Sequence, residues 1–559
     1  MTLTRVTTLL AVIASVQLTL AQEPASDAGA GIPLFSPVTW ERLVNAADEP
    51  HNWLMYSGTF DSQRFSRLDQ IDTSNVAGLK LVWAHHIPQL DRNETTPLVV
   101  DGVMFITESP SNVTAVDAAS GRPYWRYEHE LPDDLRICCG RNNRGVAILD
   151  ETLYMSTLDA HIVGVDARSG SLLWNTEVAD HQEGYSKTAA PLIVKDKVVT
   201  GIAGGEFGIR GFLDAYDAKT GTREWRTHTI PGPDHPDNRS WAGDSWRTGG
   251  SPTWITGSYD PELDLVYWGT GNPGPDYNGD VRGGDNLYAD SVIALDGDSG
   301  EMSWYFQFTP HDVHDWDAIQ IPVLADIEVD GTSRKAMLWA NRNAFYYTLD
   351  RETGEFLVGK PFARQTWAEG LDENGRPIRR PDTFPSTEGT LVAPTAGGAT
   401  NWWSPAYSPI IPSSPGAGVA SCVSSIGWSR VYRWSGYFVN FVCWCRYGLV
   451  VACPAWALSQ PRVGSRVDGC SGTHQPKYGS LAEADTATGG RNDDCRGFLH
   501  TVQASHLACR GYWSCVYRYQ ECSNQRWSRN PPQPRPRLYE GGLWDSRVVG
   551  AIAGTLLVF

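Results

Sequence analysis

The chain has 559 residues, a formal charge of −18 and 41% hydrophobic residues. That length allows a large core, and the acidic balance argues against nucleic acid as a partner. Its 23 tryptophans are an unusual load that needs a structural reason.

Residues 1–21, MTLTRVTTLLAVIASVQLTLA, have a basic start at Arg5, an apolar run and small residues before Gln22. This is the pattern of a secretory signal peptide cleaved after Ala21. The run is too short and broken for a membrane span, and no later segment is long and apolar enough for one. The mature protein is therefore expected in an oxidising compartment, secreted or periplasmic.

Cys138 and Cys139 stand side by side in ICCGRNNRG and are the only cysteines before residue 422. Adjacent α-carbons lie about 3.8 Å apart, closer than ordinary disulfides prefer, so the pair is a poor staple. It points to a site.

Tryptophan usage follows a repeat. VDAASGRPYW, VDARSGSLLW, YDAKTGTREW and LDGDSGEMSW begin at Val116, Val165, Tyr216 and Leu295, and LDRETGEFLV at Leu349 ends in Val358 instead. The aspartates Asp117, Asp166, Asp217, Asp296 and Asp350 are 49, 51, 79 and 54 residues apart, the long gap holding an insertion. Each unit reads as a strand, a tight Asp-to-Gly turn and a strand ending in tryptophan. KLVWAHHI around Trp83 is a partial copy. Such a period predicts an all-β propeller whose tryptophans dock on the next blade.

From about residue 410 the chain changes character. Counted from Ala406 there are 15 basic and 8 acidic residues, about +7, which leaves −25 for the rest. This tail holds nine of the 11 cysteines and lacks the repeat. It reads as a wrong reading frame or mis-predicted gene structure over 410–559. The other reading is a genuine cysteine-rich secreted module. The closing AGTLLVF again has the character of a strand.

The repeat together with CCGRNNRG resembles the quinoprotein alcohol dehydrogenases that use pyrroloquinoline quinone (PQQ), the methanol and ethanol dehydrogenase family. The likeness covers about residues 40–409, beginning with NWLMYSGTFDSQRFSRLDQI. It implies an eight-bladed propeller, with the last blades missing or scrambled here, and PQQ and a metal ion on its axis. Cys138 and Cys139 would form a disulfide ring on one face of PQQ, and Trp254 in GGSPTW would lie on the other. Arg144 and Arg342 would face the quinone oxygens, and Glu94, Thr188 and Asn401 match further PQQ-contacting positions. Ala203 stands where a serine is expected.

The resemblance also assigns Glu206 in GGEFGIRG, Asn272 in GTGNPGP and Asp315 in TPHDVHDWDA to the metal. These are oxygen ligands, which suit a hard cation such as calcium. His311 and His314 are read as satisfying loop hydrogen bonds. Asp317, two residues after Asp315, matches the extra aspartate of lanthanide-using members. On an extended segment both carboxylates would reach one ion; the other reading is that Asp317 is a solvated loop residue or binds a neighbouring arginine.

The implied reaction is oxidation of a small alcohol by hydride transfer to PQQ, with the metal ion as Lewis acid and Asp315 as general base. No C-x-x-C-H occurs, so electrons are expected to pass to a separate acceptor such as a cytochrome c. Two alternatives stand beside it: a non-catalytic secreted propeller scaffold, and a PQQ dehydrogenase of a polymeric alcohol or sugar.

Overall fold

The computed structural model describes residues 32–88 and 92–410 and the short strands 419–420, 428–434, 437–443, 549–552 and 555–558. The segment 1–21 read as a signal peptide and most of the cysteine-rich tail lie outside these residues.

The repeat builds five four-stranded antiparallel sheets, each running through its strands in chain order. Blade one comprises Leu98–Val100, Val103–Glu108, Asn112–Asp117 and Pro123–Glu128, and blade two comprises Ala147–Leu149, Thr152–Ser156, His161–Asp166 and Leu172–Glu177. Blade three has Leu192–Val194, Lys197–Gly201, Phe212–Asp217 and Arg223–His228. Blade four has Ser258–Asp260, Leu265–Gly269, Ser291–Asp296 and Met302–Gln307, and blade five has Val323–Val329, Thr332–Ala340, Phe345–Asp350 and Phe356–Pro361. Second and third strands are mostly buried, whereas the fourth strands of blades one, two and four alternate towards solvent. One hydrophobic core runs through blades one to four.

Each letter of the repeat has a mechanical role. The repeat aspartate ends the third strand, and its carboxylate caps the turn. Asp166, for instance, accepts the backbone N–H groups of Arg168 and Ser169 and the Ser169 hydroxyl. The glycine four residues on has φ of 69–77° in all five copies, a conformation that other residues adopt at a cost. Its missing side chain also makes room. A Cβ on Gly170 would lie 2.6 Å from the Trp125 ring of the preceding blade, and the same tight approach pairs Gly121 with Trp83, Gly221 with Trp174, Gly300 with Trp225 and Gly354 with Trp304. The indoles of Trp83, Trp125 and Trp174 donate to the carbonyls of Ala118, Ala167 and Ala218. Tryptophan docking on the next blade is therefore seen directly.

Beyond blade five, Thr390–Val392 pairs with Trp428–Trp434, which pairs with Tyr437–Cys443. Near the chain's end, Thr555–Val558 pairs with Trp83–His86 on one side and with Val549–Ile552 on the other. The closing AGTLLVF thus meets the partial repeat copy. Among the described residues there are five complete four-stranded sheets, not eight. No helix among them is long and apolar enough to cross a membrane.

Candidate active site

Antiparallel order puts two kinds of loop at one end of every blade: the segment entering the first strand and the turn joining the second and third strands. All the candidate side chains of blades one to five lie in those loops. Glu94, Cys138, Cys139, Arg144, Thr188, Trp254, Asp315 and Asp317 precede first strands, whereas Glu206, Asn272 and Arg342 sit between second and third strands. Asn401 lies just beyond, before the short strand Ala406–Tyr407. The Asp-to-Gly turns occupy the opposite end. Scaffold and site are therefore separated by topology.

Cys138 and Cys139 are disulfide-bonded. Their sulfurs and a Glu206 carboxylate oxygen all lie within 4.8 Å of one another, which joins the loop entering blade two to a turn of blade three. Arg144 is buried and ion-paired to Glu94 at 2.6 Å, and it donates to the Thr188 carbonyl at 3.3 Å. Its guanidinium lies 5.0 Å from the centre of the Trp254 ring and 5.7 Å from that of Trp402. The Thr188 hydroxyl donates to the Trp254 carbonyl. The Asn401 amide donates to Gly397 O, and its Oδ1 accepts Trp402 N–H.

The acidic side of the site is more crowded than the sequence reading anticipated. Asn272 donates its backbone N–H to Asp317 Oδ1 and its side-chain amide to Asp276, each at 2.8 Å. Asp317 Oδ2 is ion-paired with Arg342, which also donates to Ala396 O and lies 3.8 Å from Asp315. The Tyr277 hydroxyl donates to Asp315 Oδ2 at 3.4 Å. The argument that Asp315 and Asp317 share one side of an extended segment does not hold, because Asp315 has φ of 61°. A left-handed residue turns the chain between the two carboxylates.

Negative charge accumulates here. The Glu206 side chain is exposed yet ringed by protein, and its carboxyl is pushed up to about 7 by desolvation and then by Asp317 and Asp276. Burial raises Asp276. Asp315 keeps 31% side-chain exposure, but desolvation still raises it, with repulsion from Asp317, Asp276 and Asp312 added; Arg342 pulls the other way. A cation would relieve this repulsion, and an all-oxygen donor set suits a hard one. The buried Nε atoms of Arg144 and Arg342 have no hydrogen-bond partner among the described residues. The residues present therefore fit a cation beside an anionic, oxygen-rich ligand.

His311 donates to the loop as expected, its Nδ1 lying 2.8 Å from Gly284 O. His314 departs from expectation. It is buried with Nε2 unpartnered among the described residues, and its ring centre packs 4.4 Å from that of Trp316 instead. Asp276, Tyr277, Asp312 and Trp402 were missed, although each lies in or beside a stretch already singled out.

The β-propeller domain model of the glucose/ethanol/alcohol dehydrogenases, designated PQQ, matches residues 53–360, more than half of the chain. The chain belongs to this PQQ β-propeller family. Among relatives, it is 41% identical over 396 residues to the quinoprotein alcohol dehydrogenase PedH of Pseudomonas putida, covering 66% of each chain. It is 42% identical over 387 residues to the quinohemoprotein alcohol dehydrogenase ADH IIB of the same species, covering 66% of this chain and 56% of that one. The matched part thus spans just under two thirds, and a little over half, of those relatives. Among family structures, the europium-containing methanol dehydrogenase superposes with a TM-score of 0.64 at 33% identity, covering 70% of this chain and 72% of that one. The quinohemoprotein alcohol dehydrogenase ADHIIG of Pseudomonas putida superposes with a TM-score of 0.67 at 36% identity, covering 71% and 61%.

Proposed function

We propose that this protein is a PQQ- and metal-dependent alcohol dehydrogenase. The observation that carries the reading is the approach of Glu206 to the Cys138–Cys139 pair within 4.8 Å, at the blade end that also gathers Asn272, Asp315 and Asp317. The disulfide and Trp254 would hold PQQ by its faces, with Glu94, Arg144, Thr188, Arg342 and Asn401 around its polar edge. Glu206, Asn272, Asp315 and Asp317 would hold calcium or a lanthanide ion. When bound, the two groups supply a hydride acceptor and a Lewis acid.

The chain's own residues then have defined tasks. Asp315 would accept the hydroxyl proton of a small alcohol; desolvation raises its carboxyl, and a cation held by its neighbours would favour the basic form. Arg342 offsets the charge of Asp315 and Asp317 and so lowers the repulsion between them. Asp317 is held by Arg342 and the Asn272 N–H; an ion that displaced Arg342 would meet its added negative charge, which favours a trivalent ion over a divalent one.

The remaining expectations belong to the same proposal. Residues 1–21 direct export, the protein works outside the cytoplasm, the last of the family's eight blades are missing or scrambled in this chain, and a separate acceptor such as a cytochrome c takes the electrons. Beyond about residue 410 the sequence is a displaced reading frame. The test is dye-linked oxidation of a primary alcohol by the chain with its reading frame restored after about residue 410, reconstituted with PQQ and either calcium or lanthanum. Turnover that ignores NAD and disappears in Asp315→Ala is expected. No turnover with either ion, or unchanged turnover in Asp315→Ala, overturns the reading.

A further inference from the structure

We propose that Asp312 is a positioning residue that sets the direction of Asp315; this rests on the reading of Asp315 as the base. Asp312 is fully buried. One of its carboxylate oxygens accepts the backbone N–H of His314 at 3.0 Å, and the other accepts that of Trp316 at 2.9 Å. Those two amides bracket Asp315. The residue between them holds φ of 61°, a backbone region that side chains other than glycine adopt only when the surroundings impose it.

Asp315 has little of its own to fix it. Among the described residues its carboxylate receives one long hydrogen bond, 3.4 Å from Tyr277, and its ion-pair distance to Arg342 is 3.8 Å. Its direction is therefore inherited from the backbone, which Asp312 grips on both sides. The clamp is anchored in turn. Buried Arg282 donates to the Asp312 carbonyl and to Asn286 Oδ1. The Trp316 indole donates to Thr395 O at 2.9 Å and packs against Trp367 at 5.1 Å. A base displaced by about 1 Å loses on the order of 100-fold in rate, so a clamp of this kind acts on kcat rather than on substrate binding.

The test compares parent, Asp312→Asn and Asp312→Ala as full chains. Asparagine is nearly isosteric and keeps one acceptor oxygen, which protects the experiment against a misfolded alanine variant. In cofactor-free protein, amide hydrogen exchange at His314 and Trp316 should quicken in both variants while the Thr332–Ala340 strand stays protected. After reconstitution with PQQ and calcium or lanthanum, and with ethanol as substrate, Asp312→Ala should lose about 100-fold in kcat with bound PQQ and KM nearly unchanged. Asp312→Asn should fall between parent and alanine. Unchanged exchange at His314 and Trp316 overturns the clamp whatever the turnover. Faster exchange with kcat within about twofold of the parent overturns the positioning role. A parent protein that never turns over refutes the dehydrogenase reading, and the exchange measurement still decides the clamp.

Discussion

Replacing Gly170 by alanine separates the two demands that the repeat makes on its glycine. Gly170 has φ of 74°, and a Cβ there would lie 2.6 Å from the Trp125 ring. Gly102 has φ of 88° with nothing within 4 Å of its would-be Cβ, so it carries the backbone demand without the docking one. Gly102→Ala should cost about 1 kcal/mol, the ordinary left-handed penalty. Gly170→Ala adds the cost of forcing a methyl group into a filled contact, about 1–3 kcal/mol, for a total of about 2–4 kcal/mol. Urea unfolding followed by tryptophan fluorescence reads both. Shrinking the neighbour should recover part of the loss, so Gly170→Ala with Trp125→Leu should be less destabilising than the two single changes added together. Equal losses for Gly102→Ala and Gly170→Ala, with strictly additive double-mutant behaviour, would refute blade docking through this contact.

Two buried charges give further predictions. The Lys187 amine is fully buried, donates to Gly201 O at 2.7 Å, and is lowered from 10.5 to about 7 by desolvation. That difference corresponds to on the order of 5 kcal/mol against the charged form. The unfolded chain binds the extra proton between pH 7 and 10.5, so the stability tied to Lys187 rises across that window. Lys187→Met should gain most over the parent near pH 6.5 and lose that advantage by pH 10; a pH-independent difference in urea midpoint would show that the lysine is not strained. Asp214 has no exposed side-chain surface and pairs with Arg226 through two contacts of 2.7 Å. Arg226→Met should cost about 3–5 kcal/mol by stranding that carboxylate, and adding Asp214→Asn should recover much of it; a loss under 1 kcal/mol would contradict the pairing.

The repeat was legible because each of its letters answers a local requirement: a carboxylate to cap a turn, a residue tolerant of positive φ, a large ring to cover the gap. The order of strands then places Glu94, Cys138, Cys139 and Glu206 at one blade end, which a strand count along the sequence can anticipate. Side-chain partners were not legible in the same way. Asp317 meets Arg342 across 25 residues, and Asn272 meets Asp317 across 45. The first joins two loops of blade five and the second joins blade four to blade five, and no local pattern encodes either. Asp312 was hidden for a different reason. It looks like one more acidic loop residue until its two backbone partners are seen on either side of Asp315.

The central claim is that the disulfide, Trp254 and the carboxylates form one site for PQQ and a cation. Equilibrium titration of the full chain with PQQ, with and without calcium or lanthanum, tests it most directly, using Glu206→Gln as the contrast. The account predicts saturable binding near one PQQ per chain that requires a cation and is weakened in Glu206→Gln. PQQ binding that is absent in the parent, or that is indifferent to both the cation and Glu206, would contradict it.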